Sequence, residues 1–512
     1  MGRTIAVSAA LFMMALGVFS QARTLQFVNY DDNLYVTENT YVRDGLTKKS
    51  VMWAFTTAYT GNRQPITWLS HMLDITIYGL KPSGHHITNI LIHGANSVLL
   101  FILLNLMTGS LWRSAFVAAL FCVHPLHVET AAWISERKGL LSAFFWLSAM
   151  LFYVSYVKKP SVLRYLPVLF CFIASLLSKP IAVMLPVALL LIDYWPLGRK
   201  SNIQIVIEKI PFFLLSGIMG VLTYQAQRDW NVEEFFNVLP FTQRLGNALI
   251  SYAMYLYNTV VPISLSPIYV YHDTINISQA VLCAAVVISV SAASIVFIKR
   301  TPYFFVGWFW FLSVLLPVAG FAQVGYQSMA DRYSYLPLIG LFIVIATAAG
   351  QWAAGVARRG VILCIAAVAI LTASSYLSVR QTAYWRDDIS LFSRAANVTP
   401  SNFIALFNLG SAYLSHGNED DALANYNKSI AIKPSYEKPY VSAGFIMLHK
   451  NRPNEASLYF AKAADLDPGD PAPVYGTGLV LMSMGRRDDA LVYFRKALSI
   501  DPNFGPAKEY IR

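Results

Sequence analysis

Apolar runs return along the first 380 residues with hardly a break, as at 139–157, 277–298 and 360–379. A run of about 20 such residues has few outlets besides a bilayer-crossing helix, because only a helix pairs its own backbone in lipid. Eleven segments read as spans: 4–20, 88–107, 111–124, 139–157, 163–178, 181–197, 211–226, 277–298, 303–321, 335–355 and 360–379. A twelfth, 245–262, is short and broken by Pro262, and reads as re-entrant or interfacial. The chain is 56% hydrophobic and 13% charged. Its membrane part must be more apolar still, because the sequence beyond residue 380 has an ordinary polar composition.

After residue 380 a different order sets in, with a period of 34. Pro400, Pro434, Pro468 and Pro502 are in register with Ala422, Ala456 and Ala490, and with Gly410, Gly444 and Gly478. Small residues at fixed offsets in a 34-residue period are the signature of tetratricopeptide helix pairs, each closed by a proline. The repeats are expected at 401–434, 435–468 and 469–502, within a domain 401–512. Phe392, Ala395 and Pro400 mark a half repeat at 381–400, while Pro506 to Arg512 begins a helix that does not complete a pair. The fold class is therefore all-α: a polytopic membrane bundle over 1–380, with a large first outer loop 21–87, followed by an α-solenoid. Such a solenoid engages an extended peptide or a partner protein; the plain alternative is a spacer or self-association module.

The net charge of +11 raises the question of nucleic acid. The repeat region holds 12 basic and 12 acidic residues, leaving 27 against 16 before it, scattered through loops. Basic loops beside apolar spans set orientation, whereas nucleic-acid binding needs a clustered basic face, so no nucleic-acid partner is expected. A cytoplasmic N-terminus puts Arg113, Lys158-Lys159-Arg164, Arg199-Lys200, Lys299-Arg300 and Arg358-Arg359 on the inner side together. Eleven crossings then place the repeats outside, on the periplasmic side of the inner membrane if the cell is prokaryotic. The first residues also resemble a secretory signal ending Ser20-Gln21-Ala22, but a retained helix fits the loop charges. Cys122, Cys171, Cys283 and Cys364 all lie in apolar segments and offer neither a disulfide framework nor zinc spacing.

On this topology the unusual polar groups collect on the outer face. Asp31-Asp32 follows the first span directly, as a carboxylate held for proton transfer or as a solvated turn. His124-Pro125-Leu126-His127-Val128-Glu129 is a compact polar knot at a helix end. It is suited to hydrogen-bonding sugar or phosphate, to metal, or to local capping, with Pro125 breaking the face a ligand pair needs. Glu136, Arg137, Lys138, Lys179 and Arg332 add charge at the same depth, where cations can grip a lipid-linked phosphate or pair with nearby carboxylates such as Asp331 and Glu136. Trp53, Trp68, Trp133, Trp195 and Trp308 read as interface-belt residues. Residues 65–78 read as a helix lying on the outer surface.

Asn29-Tyr30-Asp31-Asp32, Gly84-His85-His86-Ile87-Thr88-Asn89, Trp112-Arg113-Ser114-Ala115, His124-Pro125-Leu126-His127-Val128-Glu129, Glu136-Arg137-Lys138, Leu177-Ser178-Lys179-Pro180, Asp193-Tyr194-Trp195-Pro196 and Asp331-Arg332-Tyr333-Ser334-Tyr335-Leu336-Pro337, followed by the repeats, carry a further signal. With them the chain resembles the transmembrane and tetratricopeptide-repeat glycosyltransferases, C-type (GT-C) polytopic enzymes whose animal members are protein O-mannosyltransferases. The resemblance runs from about residue 27 to 502. It implies a transferase that takes a sugar from a polyprenyl-phosphate donor to a Ser or Thr hydroxyl, with an acidic residue of the first outer loop acting on the acceptor. Asp31 and Asp32 match that position, with the choice between them open. His124, His127, Glu129, Glu136, Arg137, Lys138, Lys179 and Arg332 match motif positions where donor-phosphate or sugar-binding roles are implied. No cofactor is expected, and no Asp-x-Asp in the membrane part supports a divalent metal. The competing reading is a non-catalytic membrane scaffold whose repeats recruit envelope proteins.

Overall fold

The computed structural model describes residues 1–200, 202–229, 240–271, 274–320 and 327–511. Residues 230–239 and 272–273 of the outer stretch 227–276, residue 321 of the span 303–321 and residues 322–326 of the loop 322–334 lie outside the described residues. The chain divides into two compact units, one of Met1–Pro267 with Tyr271–Asp387 and the other of Ile268–Val270 with Asp388–Arg512.

In the first unit each of the eleven apolar segments is helical, among them Gly2–Val18, Pro82–Thr108, Arg137–Lys158, Ile277–Val296 and Ala357–Ala383. Among the described residues five helices are long and apolar enough to cross a membrane: Pro82–Thr108, Ile134–Lys158, Ile203–Arg228, Ile277–Val296 and Ala357–Ala383. A sixth is gained if Leu111–Val123 and Pro125–Ala132, bent by 55°, count as one span. The other expected spans are shorter apolar helices such as Val162–Leu176 and Leu338–Ala353. The bend has a local cause. His124 is extended, and Pro125 lacks the N–H that would continue the ladder. The stretch 245–262 forms the helix Phe241–Val260, which ends before Pro262 and buries Asn247, Ser251 and Asn258 inside the protein.

Between the first two apolar helices the chain folds into Thr40–Arg43, Lys48–Thr56 and Pro65–Tyr78, the first two capped by the side chains of Asn39 and Thr47. They enclose a small core of Tyr35, Val36, Val42, Ala54, Trp68, Met72 and Ile134. The interface-belt reading is corrected for three of the five tryptophans: Trp68, Trp133 and Trp308 are buried, at 0%, 2% and 2% exposure. Trp68 stacks on Tyr35 with ring centroids 4.8 Å apart, so the ring finds an aromatic partner inside the protein.

The second unit is a run of antiparallel helix pairs: Phe403–Ser415 with Glu419–Ile432, Lys438–His449 with Pro453–Leu466, and Pro471–Ser483 with Arg487–Ile500. Asp388–Val398 precedes them and Gly505–Ile511 comes after. The 34-residue period of glycine has a steric origin. A Cβ on Gly410, Gly444 or Gly478 would lie 2.6, 2.7 or 2.5 Å from the ring of Tyr426, Phe460 or Phe494. Each of those rings is buried against the alanine of its own repeat, at Ala422, Ala456 and Ala490.

Candidate functional site

Three elements of the first unit meet at one end of the bundle: the turn after the first helix, the segment 124–138 with its proline bend, and the segment 327–337. Asp31 and Tyr35 lie one turn apart, the Tyr35 N–H donating to the Asp31 carbonyl at 3.0 Å, so both face the same way. Lys138 meets them there. Its Nζ lies 4.0 Å from Asp31 Oδ2, donates to the Tyr35 hydroxyl at 3.1 Å and sits 4.2 Å above the Tyr35 ring.

The two adjacent aspartates are not equivalent. Asp32 is 1% exposed and accepts from the Val28 N–H at 3.0 Å, the Ser135 N–H at 3.0 Å and the Ser135 hydroxyl at 2.5 Å. It fastens the first loop to the 133–138 segment. Asp31 has a side chain 36% exposed, with Lys138 at the outer limit of ion-pair distance. Burial raises both carboxyls, Asp32 to about 7 against the pull of its three donors, and Asp31 against the pull of Lys138 and Arg332.

Around them the other charges form pairs. Arg332 donates through Nη1 to Glu129 at 2.5 Å and through its backbone N–H to the same carboxylate at 2.9 Å, while Nη2 reaches Gln327 at 2.8 Å. Its guanidinium lies 5.3 Å from the Trp133 ring, and that ring stacks on Tyr30 at 4.8 Å. Gln327 also donates to the Tyr30 hydroxyl. Lys179 pairs with the buried carboxylate of Glu136, and Gly139 makes the room, since a Cβ there would run into Glu136 Oε1. Arg332 therefore takes Glu129 as its partner, rather than Asp331 or Glu136.

Arg137 and the two histidines of the knot point elsewhere. Arg137 is fully buried and donates to Asp74 at 2.7 Å, the His85 carbonyl at 2.8 Å, Ser70 at 2.9 Å and Asn89, so its guanidinium clamps the Pro65–Tyr78 helix to the Pro82–Thr108 helix. His124 is held by the Thr259 carbonyl at 3.0 Å beside the Phe342 ring, and His127 by the Phe121 carbonyl at 2.7 Å among the rings of Phe121, Tyr335 and Phe342. Both are buried, in the manner of the local-capping alternative. Among the described residues no group of three or more His, Cys, Asp and Glu side chains could hold a metal ion.

Residue types alone did not single out Tyr30, Gln327, Trp133 or Ser135 for the site. Tyr30 was adjacent to the aspartates, but nothing in a lone Gln or Ser marks it before the fold brings it across from another segment.

A bundle of apolar helices with clustered carboxylates and cations at one end, joined to tetratricopeptide repeats, defines the class to which the comparisons point. Tetratricopeptide-repeat family models match residues 389–437 and 475–504. Over most of its length the chain is similar to protein O-mannosyl-transferases. It is 25% identical to one of Caenorhabditis elegans, over 73% of this chain and 54% of that protein. It is 22% identical to protein O-mannosyl-transferase TMTC4 of Homo sapiens over 71% of this chain and 57% of that protein, and 22% identical to TMTC1 of Homo sapiens over 84% and 55%. The chain thus spans about half the length of these curated relatives.

Proposed function

We propose that the chain is a membrane glycosyltransferase that moves a mannose-like sugar from a polyprenyl-phosphate donor to a Ser or Thr hydroxyl of an exported protein. The observation that carries this reading is the contrast between the two aspartates: Asp32 is saturated with donors, whereas Asp31 is accessible beside Lys138. Asp31 is the base, and Asp32 holds the loop that presents it. The acceptor oxygen attacks the anomeric carbon as its proton passes to Asp31, and the bond from that carbon to the phosphate oxygen breaks with its electron pair leaving on the phosphate. Attack opposite the leaving group inverts the anomeric centre. Lys138, Lys179 and Arg332 neutralise the departing phosphate, with Glu129, Glu136 and Gln327 holding those cations in place before the donor arrives. On this reading the N-terminus is cytoplasmic, the carboxylate end of the bundle is on the outer face, and the repeats engage the acceptor or its partner there.

Purified chain in liposomes, supplied with polyprenyl-phosphate mannose and a Ser/Thr peptide, should glycosylate the peptide. Asp31→Asn should lower the rate by at least about a hundredfold, the lower end of what one positioned base contributes, with unchanged yield and melting. Full activity in Asp31→Asn would remove Asp31 from the chemistry, and transfer by neither protein would favour the scaffold reading.

A further inference from the structure

A cavity of about 360 Å³ opens within the first unit, between the Pro82–Thr108, Leu111–Val123, Arg137–Lys158, Leu185–Tyr194, Pro302–Leu315 and Leu338–Ala353 helices. Its walls are apolar, with Leu100, Leu104, Met150, Ile192, Trp310 and Ile339 among them. It runs along the helices, from Ile339 to Gln351 on the Leu338–Ala353 helix, and its polar mouth is at the end away from the carboxylates. On the Pro82–Thr108 helix, Asn89 touches Arg137 while Thr108 lines the cavity, and at 1.5 Å per residue the two stand about 28 Å apart. On the Leu338–Ala353 helix, Gln351 at the far terminus lines it too.

That end of the cavity is polar. Thr108, Ser110, Ser114 and Gln351 line it, together with Arg113, which is exposed. Among the described residues no hydrogen-bond or ion-pair partner is found for Arg113. Its guanidinium crosses Gly350 closely enough that a Cβ there would meet Nε at 2.5 Å, so the glycine lets the cation lie flat at the mouth. Two motifs that the transfer reading leaves unused converge here: Trp112-Arg113-Ser114-Ala115, and Asp193-Tyr194-Trp195-Pro196 through Trp195 and Pro196.

We infer that this cavity is a binding site for an anionic membrane phospholipid, with an acyl chain among the apolar walls and the phosphate on Arg113. An unpaired guanidinium at the polar rim of an apolar pocket calls for a ligand that is apolar at one end and anionic at the other. The bilayer around the bundle supplies that chemistry, and the pocket volume suits one chain. Because the mouth lies at the end of the bundle away from Asp31, the lipid enters from the leaflet opposite the carboxylate cluster, and its binding stands whether or not sugar is transferred.

The full chain in detergent, exchanged free of carried lipid, is titrated with phosphatidylglycerol, with phosphatidylcholine, with diacylglycerol and with inorganic phosphate. Bound mass is read by native mass spectrometry and melting by intrinsic fluorescence. One phosphatidylglycerol should bind per chain and raise the melting temperature, with the other three weaker. Arg113→Gln should weaken its binding by about tenfold, the loss of one charge-assisted contact, and Arg113→Lys should retain most of it. Ala346→Phe, which fills the cavity, should abolish retention, and the exposed Arg113 variants read the same site if the filled variant does not fold. Equal binding of phosphatidylcholine or diacylglycerol, binding of phosphate as tight as that of the lipid, or an unchanged affinity in Arg113→Gln would each overturn the assignment.

Discussion

At the scale of single residues, two neighbouring carboxyls in different surroundings divide the proposed work between them. A base must be ionised, and burial raises the Asp31 carboxyl. The acid limb of transfer against pH is therefore expected above the ordinary carboxylate value of about 4, with activity lost as pH falls through it. A pH–rate profile of the purified chain checks this. Asp32 has a folded-state value of about 7, above its unfolded value, so the stability it contributes is fully present at low pH and is lost as pH rises towards 7. Asp32→Asn should therefore flatten the fall in melting temperature between the ordinary carboxylate value and neutrality; an unchanged slope would contradict the shift. Glu129→Gln should destabilise the first unit by about 3 kcal/mol, because it leaves a guanidinium only 10% exposed without its counter-charge, as read by thermal unfolding at neutral pH. The carboxylates and cations of this site were legible in the sequence by type, whereas Tyr30, Gln327 and Ser135 were not. Nor was it legible which groups face one another, because Glu129 and Arg332 are 203 positions apart and only packing decides that they pair. Arg137 shows the cost of reading by type: a cation in a charged motif looked like a phosphate ligand, and the fold gives it Asp74 and Asn89 instead.

At the scale of elements, periodicity is the strongest signal in the chain. The 34-residue recurrence of glycine, alanine and proline locates the helix pairs because each glycine faces one ring, a constraint written into single positions. Gly444→Val should cost about 2 kcal/mol through overpacking against Phe460, measured by thermal unfolding of the full chain, with Phe460→Leu in the same chain expected to recover part of it. Apolar runs marked helices well and their ends less well. The helix Pro82–Thr108 begins six residues before the apolar segment 88–107, since its first turns carry the polar His85, His86 and Asn89 that pack inside the protein. Trp68 and Trp133 depart from the belt expectation for a related reason: an amphipathic ring suits a lipid interface and a buried stack equally, and Tyr35 and Tyr30 supply the stacks.

At the scale of the molecule, the proposed transfer requires a donor in the membrane and an acceptor brought by the repeats. Removal of residues 401–512 should therefore slow transfer to a protein acceptor far more than it weakens binding of polyprenyl-phosphate mannose, each measured on the purified chain; equal loss of both would make the repeats structural. Transfer of this kind needs the carboxylate cluster and the repeats in one compartment. Reporter fusions or single-cysteine labelling at an exposed site within residues 40–60 and at the C-terminal end test this most directly. The expected result is that both sites are modified from the same, non-cytoplasmic side. Modification from opposite sides would contradict the proposed mechanism, because a hydroxyl held by the repeats could then never reach Asp31.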